Sequence, residues 1–296
     1  MNVDTPANAG VQRSRWIPAF AGMTMLLGCL VHDARAARLE DAGAVPHLGT
    51  RGQAGYREFL AAEAHRAFAI APGGGWGWSQ GAVSPDAALD QALDACQRHT
   101  RQRCVPYALD REVVFDSQGW SRLWRPYATA AEAKRAPVGT DRGQRFPDLL
   151  LTAPDGKPVK LSDLEGKVVV LHFWGTWCPT CRQELPQFER LQQGFAGQRD
   201  LVFVFTQARE PAATSRQWLK QNGVKLALHD SGARDSRDDS FRLSNGQALK
   251  DRQVAPVFPA TYVLDRHGLV VFSLHGSAED WSQYAAFLRD LLAHRK

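Results

Sequence analysis

The sequence predicts an α/β protein preceded by a small α+β module, on three observations. A continuous apolar run rich in β-branched residues, Val168-Val169-Val170-Leu171, has the composition of a central strand buried on both faces. A second buried strand, Leu201 to Phe205, follows a helical segment running from Pro179 to about Gln193. Between them stands Cys178-Pro179-Thr180-Cys181, a C-x-x-C pair at the helix start.

The elements follow in order. Arg13 and Arg15 precede an apolar run from Trp16 to Val31, and Ala34-Arg35-Ala36 resembles a cleavage site, so residues 1–36 read as a secretory signal. Leu26-Leu27-Gly28-Cys29 also has the look of a lipobox, which would lipidate Cys29 and give a membrane anchor. A translation start at Met23 or Met25 would remove the basic segment. Residues 50–116 form the small α+β domain. Phe59, Leu60 and Phe68 sit at helical or strand-entry spacing, and Gly73-Gly74-Gly75-Trp76-Gly77-Trp78 punctuates a turn. Ser84-Pro85 opens a helix whose Ala88, Leu89, Ala92, Leu93 and Cys96 keep the 3.6 period. Val105 to Ala108 and Glu112 to Phe115 read as a hairpin around Asp110-Arg111. Residues 117–137 form a polar linker, with Trp120 and Trp124 arguing against complete disorder.

The second domain spans 138–296. Leu149–Thr152 and Val159–Leu161 flank the hairpin signal Asp155-Gly156. After the two buried strands come a helix from Pro211 to Gln221 stopped at Gly223, a short strand at Leu226–Leu228, and strands at Ala260–Leu264 and Leu269–Leu274. A last helix, capped by Ser277, carries Trp281, Tyr284, Phe287, Leu288 and Leu291. The order is β-α-β-α-β-β-α, with a polar loop and a short helix inserted between Asp230 and Gln253.

Composition bounds the function. The chain has 296 residues, 44% hydrophobic, and its net charge of +5 is spread thinly without a Lys/Arg block, which argues against a nucleic-acid partner. Once Cys29 leaves with the signal or carries lipid, the remaining cysteines form two close pairs, as expected for disulfides in an exported protein. Cys96 and Cys104 read as a structural disulfide stapling the helix end to the next strand. Cys178 and Cys181 read as chemical. A sulfur at a helix start faces unpaired N–H groups and the positive end of the dipole, which favours the thiolate of Cys178. Cys181, one turn on, can attack the resulting mixed disulfide. A zinc site needs a second Cys/His pair, and neither His229, His267 nor His275 forms one. No metal and no cofactor is expected.

Phe173-Trp174-Gly175-Thr176-Trp177-Cys178-Pro179-Thr180-Cys181 resembles the active-site segment of thioredoxin-fold proteins, and most closely the exported thiol-disulfide oxidoreductases of the TlpA/ResA type. Gly166-Lys167, Leu161-Ser162-Asp163-Leu164 and Glu184-Leu185-Pro186 carry the same resemblance, which covers Val138 to Lys296. It implies a thioredoxin-like three-layer α/β/α sandwich with a mixed central sheet. The first module is similar to small cysteine-paired domains of exported bacterial proteins, a likeness that assigns no activity. Phe258-Pro259-Ala260-Thr261-Tyr262-Val263-Leu264-Asp265 matches the family's cis-proline segment. The resemblance gives Pro259 the cis role over its rival Pro256, and gives Phe258 a backbone that pairs with an extended substrate. Trp177, with Trp174 as a core alternative, is expected on the partner surface, and Pro186 is expected to kink the helix.

Proton transfer to Cys181 is left between two residues. Glu184 matches an active-site glutamate of the ResA-like pattern, against an ordinary helix-surface carboxylate. His172 stands where thioredoxins carry a buried Asp and many TlpA-like relatives an amide, so it is either a proton relay or a satisfied core histidine. The function expected is an exported, periplasmic thiol-disulfide oxidoreductase, soluble or membrane-anchored. It would act on protein disulfides as a reductant supplied by a membrane electron donor. Two other functions fit the sequence less well. A peroxidase needs Thr three residues before its cysteine, where this chain has Gly175, and a Sco-like copper chaperone needs three residues between its cysteines.

Overall fold

The computed structural model describes residues 39–100, 102–123, 129–278 and 280–293. The expected signal and the lipobox at Cys29 lie outside them. All described residues belong to one compact unit.

The first module contains α1 (Thr50–Ala61), β1 (Ala67–Ile70), β2 (Trp76–Ser79), α2 (Pro85–Gln97), β3 (Val105–Leu109) and β4 (Glu112–Val113). Its antiparallel sheet has the order β2-β1-β3-β4. Ser84 caps α2 by accepting from the Ala87 N–H, with Pro85 in the first turn, as the sequence predicts. Ala88, Ala92 and Cys96 of α2 pack on Ala67, Ala69 and Ala71 of the β1 side. These small residues bring helix and sheet close together. Cys96 and Cys104 are bonded to each other, closing a loop of sequence separation 8 at the mouth of β3.

The stretch expected to link the modules carries α3 (Ser117–Trp120) and α4 (Ala130–Arg135). Trp120 is buried, and Thr129 and Glu132 form a capping box on α4. One core cluster runs through both modules, from Tyr56, Phe59 and Phe68 to Phe272, Phe287 and Leu288. Gly73 permits this closeness. Its φ is +80°, and a Cβ there would stand 2.3 Å from the Phe272 ring.

The second module follows with β5 (Leu150–Thr152), β6 (Pro158–Lys160), β7 (Val168–Trp174), α5 (Pro179–Gln193), β8 (Leu201–Gln207), α6 (Ala212–Gln221) and β9 (Leu228–His229). Next come β10 (Ser240–Arg242), β11 (Ala248–Lys250), α7 (Asp251–Val254), β12 (Ala260–Leu264), β13 (Val270–His275) and α8 (Tyr284–Ala293). The central sheet has the order β13-β12-β7-β8-β9. β7, β8 and β9 are parallel, and β12 runs antiparallel to both β7 and β13. Every residue of β7 is buried, as a strand covered on both faces requires. Its Val168, Val170 and Trp174 join one core cluster, while Val169, Leu171 and Phe173 join another on the opposite face.

Three local expectations are corrected. Residues 230–253 carry the hairpin β10–β11 ahead of α7, where only a loop and short helix were expected, because Ser240 to Arg242 pair with Ala248 to Lys250 around the Gly246 turn. The short strand is Leu228–His229 instead of Leu226–Leu228. Asp280, not Ser277, caps the chain into the last helix, its side chain accepting from the Ser282 N–H at a 3₁₀ turn, Trp281–Gln283, that precedes α8.

Replacing both Cys96 and Cys104 by serine releases a short closed loop and is expected to lower stability by about 2 kcal/mol. Chemical denaturation should show a lower midpoint with the secondary structure of the folded state retained.

Candidate active site

β7 delivers the chain to the site. From Trp174 the backbone passes through Gly175, Thr176 and Trp177 to Cys178, the N-cap residue of α5. Pro179 occupies the first turn, where its missing N–H costs nothing. Cys178 and Cys181 are joined as a disulfide. The Cys181 N–H points at the Cys178 sulfur (3.2 Å), and the Thr180 hydroxyl lies 3.4 Å from the same atom. Both groups suit a negative charge on Cys178 once the disulfide opens, as does the dipole of α5. Cys178 is 5% exposed and Cys181 is fully inaccessible. Cys178 is thus the more accessible of the two sulfurs.

The loop before Cys178 is braced from beyond β8. The Thr176 N–H donates to Glu210 Oε1 (2.8 Å), the Thr176 hydroxyl donates to Glu210 Oε2, and the Ser215 hydroxyl donates to Oε1 (2.5 Å). The Trp177 indole N–H donates to the Ala208 carbonyl (2.9 Å) and lies against Gly175, where a Cβ would meet Nε1 at 2.2 Å. Glu210 is a site residue that sequence reasoning missed. Its only signal is a polar residue just ahead of α6.

On the opposite side the Phe258–Pro259 peptide bond is cis. Ala260 pairs with Phe173, so Pro259 stands at the end of the sheet where the β7 chain turns towards Cys178. The Phe258 ring meets Trp177 edge-on at 5.1 Å between centroids. Trp177 is 44% exposed, whereas Trp174 is fully buried against Trp218 and belongs to the core. The guanidinium groups of Arg209 and Arg252 stand 6.0 and 5.8 Å from the Phe258 ring centre. Arg209 makes a two-point ion pair with buried Asp251 (2.6 and 2.9 Å), which ties the inserted segment to the site. Arg209, just after β8, and Asp251 and Arg252 of the polar insertion were also missed, because nothing local in either segment marks that they meet at the site.

Glu184 and His172, two residues offered as rivals for the same task, are brought together. Glu184 is 1% exposed, which overturns the helix-surface alternative, and His172 on β7 is fully buried. His172 Nε2 lies 3.4 Å from Glu184 Oε1, and its Nδ1 lies 2.9 Å from the Thr261 hydroxyl. Glu184 Oε2 accepts from the Ala278 N–H (3.1 Å) and the Trp281 indole N–H (3.0 Å). Burial pushes the Glu184 carboxyl up to about 8, against the two hydrogen bonds. Burial pushes His172 down to about 3. At neutral pH the pair is therefore uncharged overall, a carboxylic acid beside a neutral imidazole. Pro186 lies inside α5, where it removes one backbone bond of the helix.

Comparison with known proteins gives the family. A family model described as Redoxin matches residues 141–288, half of the chain. The chain is 32% identical over 149 residues to the thioredoxin-like protein YneN of Bacillus subtilis, covering 50% of this chain and 77% of that protein. It is 30% identical over 135 residues to the thiol-disulfide oxidoreductase ResA of Bacillus subtilis, covering 46% of this chain and 68% of that protein. Among solved structures, a thioredoxin-family thiol:disulfide interchange protein from Chlorobium tepidum covers 53% of this chain and 99% of its own at 23% identity, with a TM-score of 0.36. The chain thus belongs to the redoxin family and is a thioredoxin-fold, TlpA/ResA-like protein thiol-disulfide oxidoreductase.

Proposed function

We propose that the enzyme works outside the cytoplasm as a dithiol reductant of protein disulfides, with Cys178 as nucleophile and Cys181 as resolving thiol. The observation that carries this reading is the unequal burial of the two sulfurs at the start of α5. Cys178 thiolate attacks one sulfur of a partner disulfide, and the partner's other sulfur leaves as thiolate. Cys181 then gives up its proton and attacks Cys178. The mixed disulfide breaks, the second partner sulfur leaves and is protonated, and the enzyme ends oxidised. Two electrons from a membrane dithiol donor restore it. Phe258 and Trp177 form the surface that receives the partner, whose extended backbone pairs beside Pro259.

Glu184 manages the proton of Cys181 from one helical turn away, and His172 acts as a positioning residue through Glu184. Glu184 Oε1 lies 3.4 Å from His172 Nε2 with no hydrogen bond formed between them, and the Thr261 hydroxyl holds the imidazole through Nδ1. This arrangement spares Cys181 a negative neighbour at neutral pH. The reductant direction rests on the family likeness together with the burial of Cys181, which disfavours a second thiolate in the reduced state.

Cys178→Ser is expected to abolish disulfide exchange, and Cys181→Ser to accumulate mixed disulfides visible on non-reducing gels; full activity of the first variant would defeat the mechanism. Equilibration with glutathione should give a potential in the glutaredoxin range, about −200 to −230 mV, or below, while a value close to about −120 mV would make the enzyme an oxidant. The raised Glu184 value makes the native state bind the extra proton between the unfolded value of 4.5 and about 8, so this group's stabilisation falls as pH rises through that window. His172, lowered from 6.5 to about 3, acts in the opposite sense, but only below 6.5. Melting temperatures should therefore drop between pH 6.5 and 8, and Glu184→Gln should remove that drop.

A further inference from the structure

β13 is the terminal strand of the central sheet and β2 is the terminal strand of the first module's sheet. Both border the same cleft, of about 890 Å³. Part of the outer edge of β13 is already covered, since Val270 exchanges backbone bonds with Gly143 and Gln144. From Phe272 onward the strand borders the cleft. The Gly276 N–H donates to the Pro259 carbonyl, and antiparallel ladders alternate, so the 261/274 pair is also hydrogen-bonded while the backbone groups of Ser273 point outward. The same reasoning holds across the cleft. The Ala71 N–H donates to the Gly75 carbonyl, which leaves the backbone groups of Trp76 and Trp78 pointing away from β1.

Two strand edges thus present peptide donors and acceptors to one space, and their side chains give it a charge. Arg51 and Arg98 line it, and among the described residues no acidic side chain does. Trp76 and Trp78 add flat apolar surface. A neighbouring hollow of about 480 Å³ shares Arg51, Ser277 and Ala278 with the cleft and reaches Thr180, between the two active-site cysteines. Glu184 and Asp280 also line this smaller hollow.

We propose that this cleft binds an extended, acidic polypeptide segment by strand addition to the β13 edge, and that the first module is present to build its second wall. Main-chain pairing gives affinity for an unfolded chain, and the arginines select acidic sequence. The identity of that chain as a disulfide-bearing substrate rests on the exchange reaction proposed above. Nucleic acid would also suit arginine and tryptophan, but the backbone pattern of two strand edges matches a peptide and not a stacked base.

The test uses the full chain and a fluorescein-labelled, cysteine-free peptide of alternating aspartate and valine, followed by anisotropy. Binding is expected, together with slowed amide exchange at Ser273. The lysine–valine counterpart should bind at least about tenfold more weakly. Ser273→Pro removes the outward N–H and should weaken binding by about tenfold or more. Exposed Arg98, at the end of α2, gives a variant that leaves β13 untouched, and Arg98→Glu should weaken binding to a similar extent. Absence of binding, equal binding of the lysine peptide, indifference to Arg98→Glu, or displacement of the peptide by oligodeoxythymidine would each overturn the proposal. Because the peptide holds no sulfur, its binding is independent of Cys178. Loss of exchange with binding intact would count against the redox reading alone, and the reverse against the cleft alone.

Discussion

The carboxyl group of Glu184 holds the site together. One oxygen takes hydrogen bonds from the chain that leads into α8, at Ala278 and Trp281, and the other faces His172 on the central strand. A group at 1% exposure must be satisfied or neutral, because an unpaired buried charge costs several kcal/mol. Phe188 closes the space around it, stacked on Trp281 at 4.1 Å and tilted against His172 at 4.4 Å between ring centres. Helix α5, strand β7 and the approach to α8 are thereby fixed to one another. The same contact positions Ala278, which lines both hollows beside the active site.

Around that anchor the cysteine loop is clamped from two directions. Glu210 gathers the backbone and hydroxyl of Thr176, so the turn into Cys178 is held by a charge-capable group and not by loop packing alone. The inserted hairpin and α7 approach from the other side through Asp251, which grips Arg209 at a left-handed φ of +59°. Asp251 thereby sets where Arg209 stands beside the Phe258 ring. The insertion, polar and unremarkable in sequence, thereby reaches the Phe258 ring.

How far the sequence could be read follows from the range of each interaction. The strand Val168–Leu171, the helix opened by Ser84-Pro85 and the C-x-x-C helix start are local patterns, and they stand where periodicity and capping put them. Cys96 with Cys104 and Phe258-Pro259 were legible through spacing and family likeness. Glu184 was legible as a residue but not as an environment. Its partners Ala278 and Trp281 lie 94 and 97 residues away, and a carboxylate on a helix gives no sign that a distant loop covers it. Glu210 and Thr176 are 34 residues apart, and Arg209 and Asp251 are 42 apart, so no window of periodicity spans either pair. The hairpin at 240–250 was missed because its strands are three residues each and carry only one large apolar side chain apiece, Phe241 and Leu249.

The two sulfurs feel opposing influences, and their balance decides which way electrons move. The start of α5, the Cys181 N–H and the Thr180 hydroxyl all favour a thiolate on Cys178, and stabilising the reduced form makes a dithiol more oxidising. Burial of Cys181 works in the other direction, since a second thiolate would have to form without water. An ionised Glu184 one turn away would add like-charge repulsion to that cost. Its neutral state at physiological pH removes the repulsion but also withholds a ready base, and in the proposed mechanism the Cys181 proton falls to the Glu184–His172 pair. A protonated carboxyl poised near 8 can accept a proton only after giving up its own, and the oxygen that would do so stands 3.4 Å from the imidazole and makes no hydrogen bond to it.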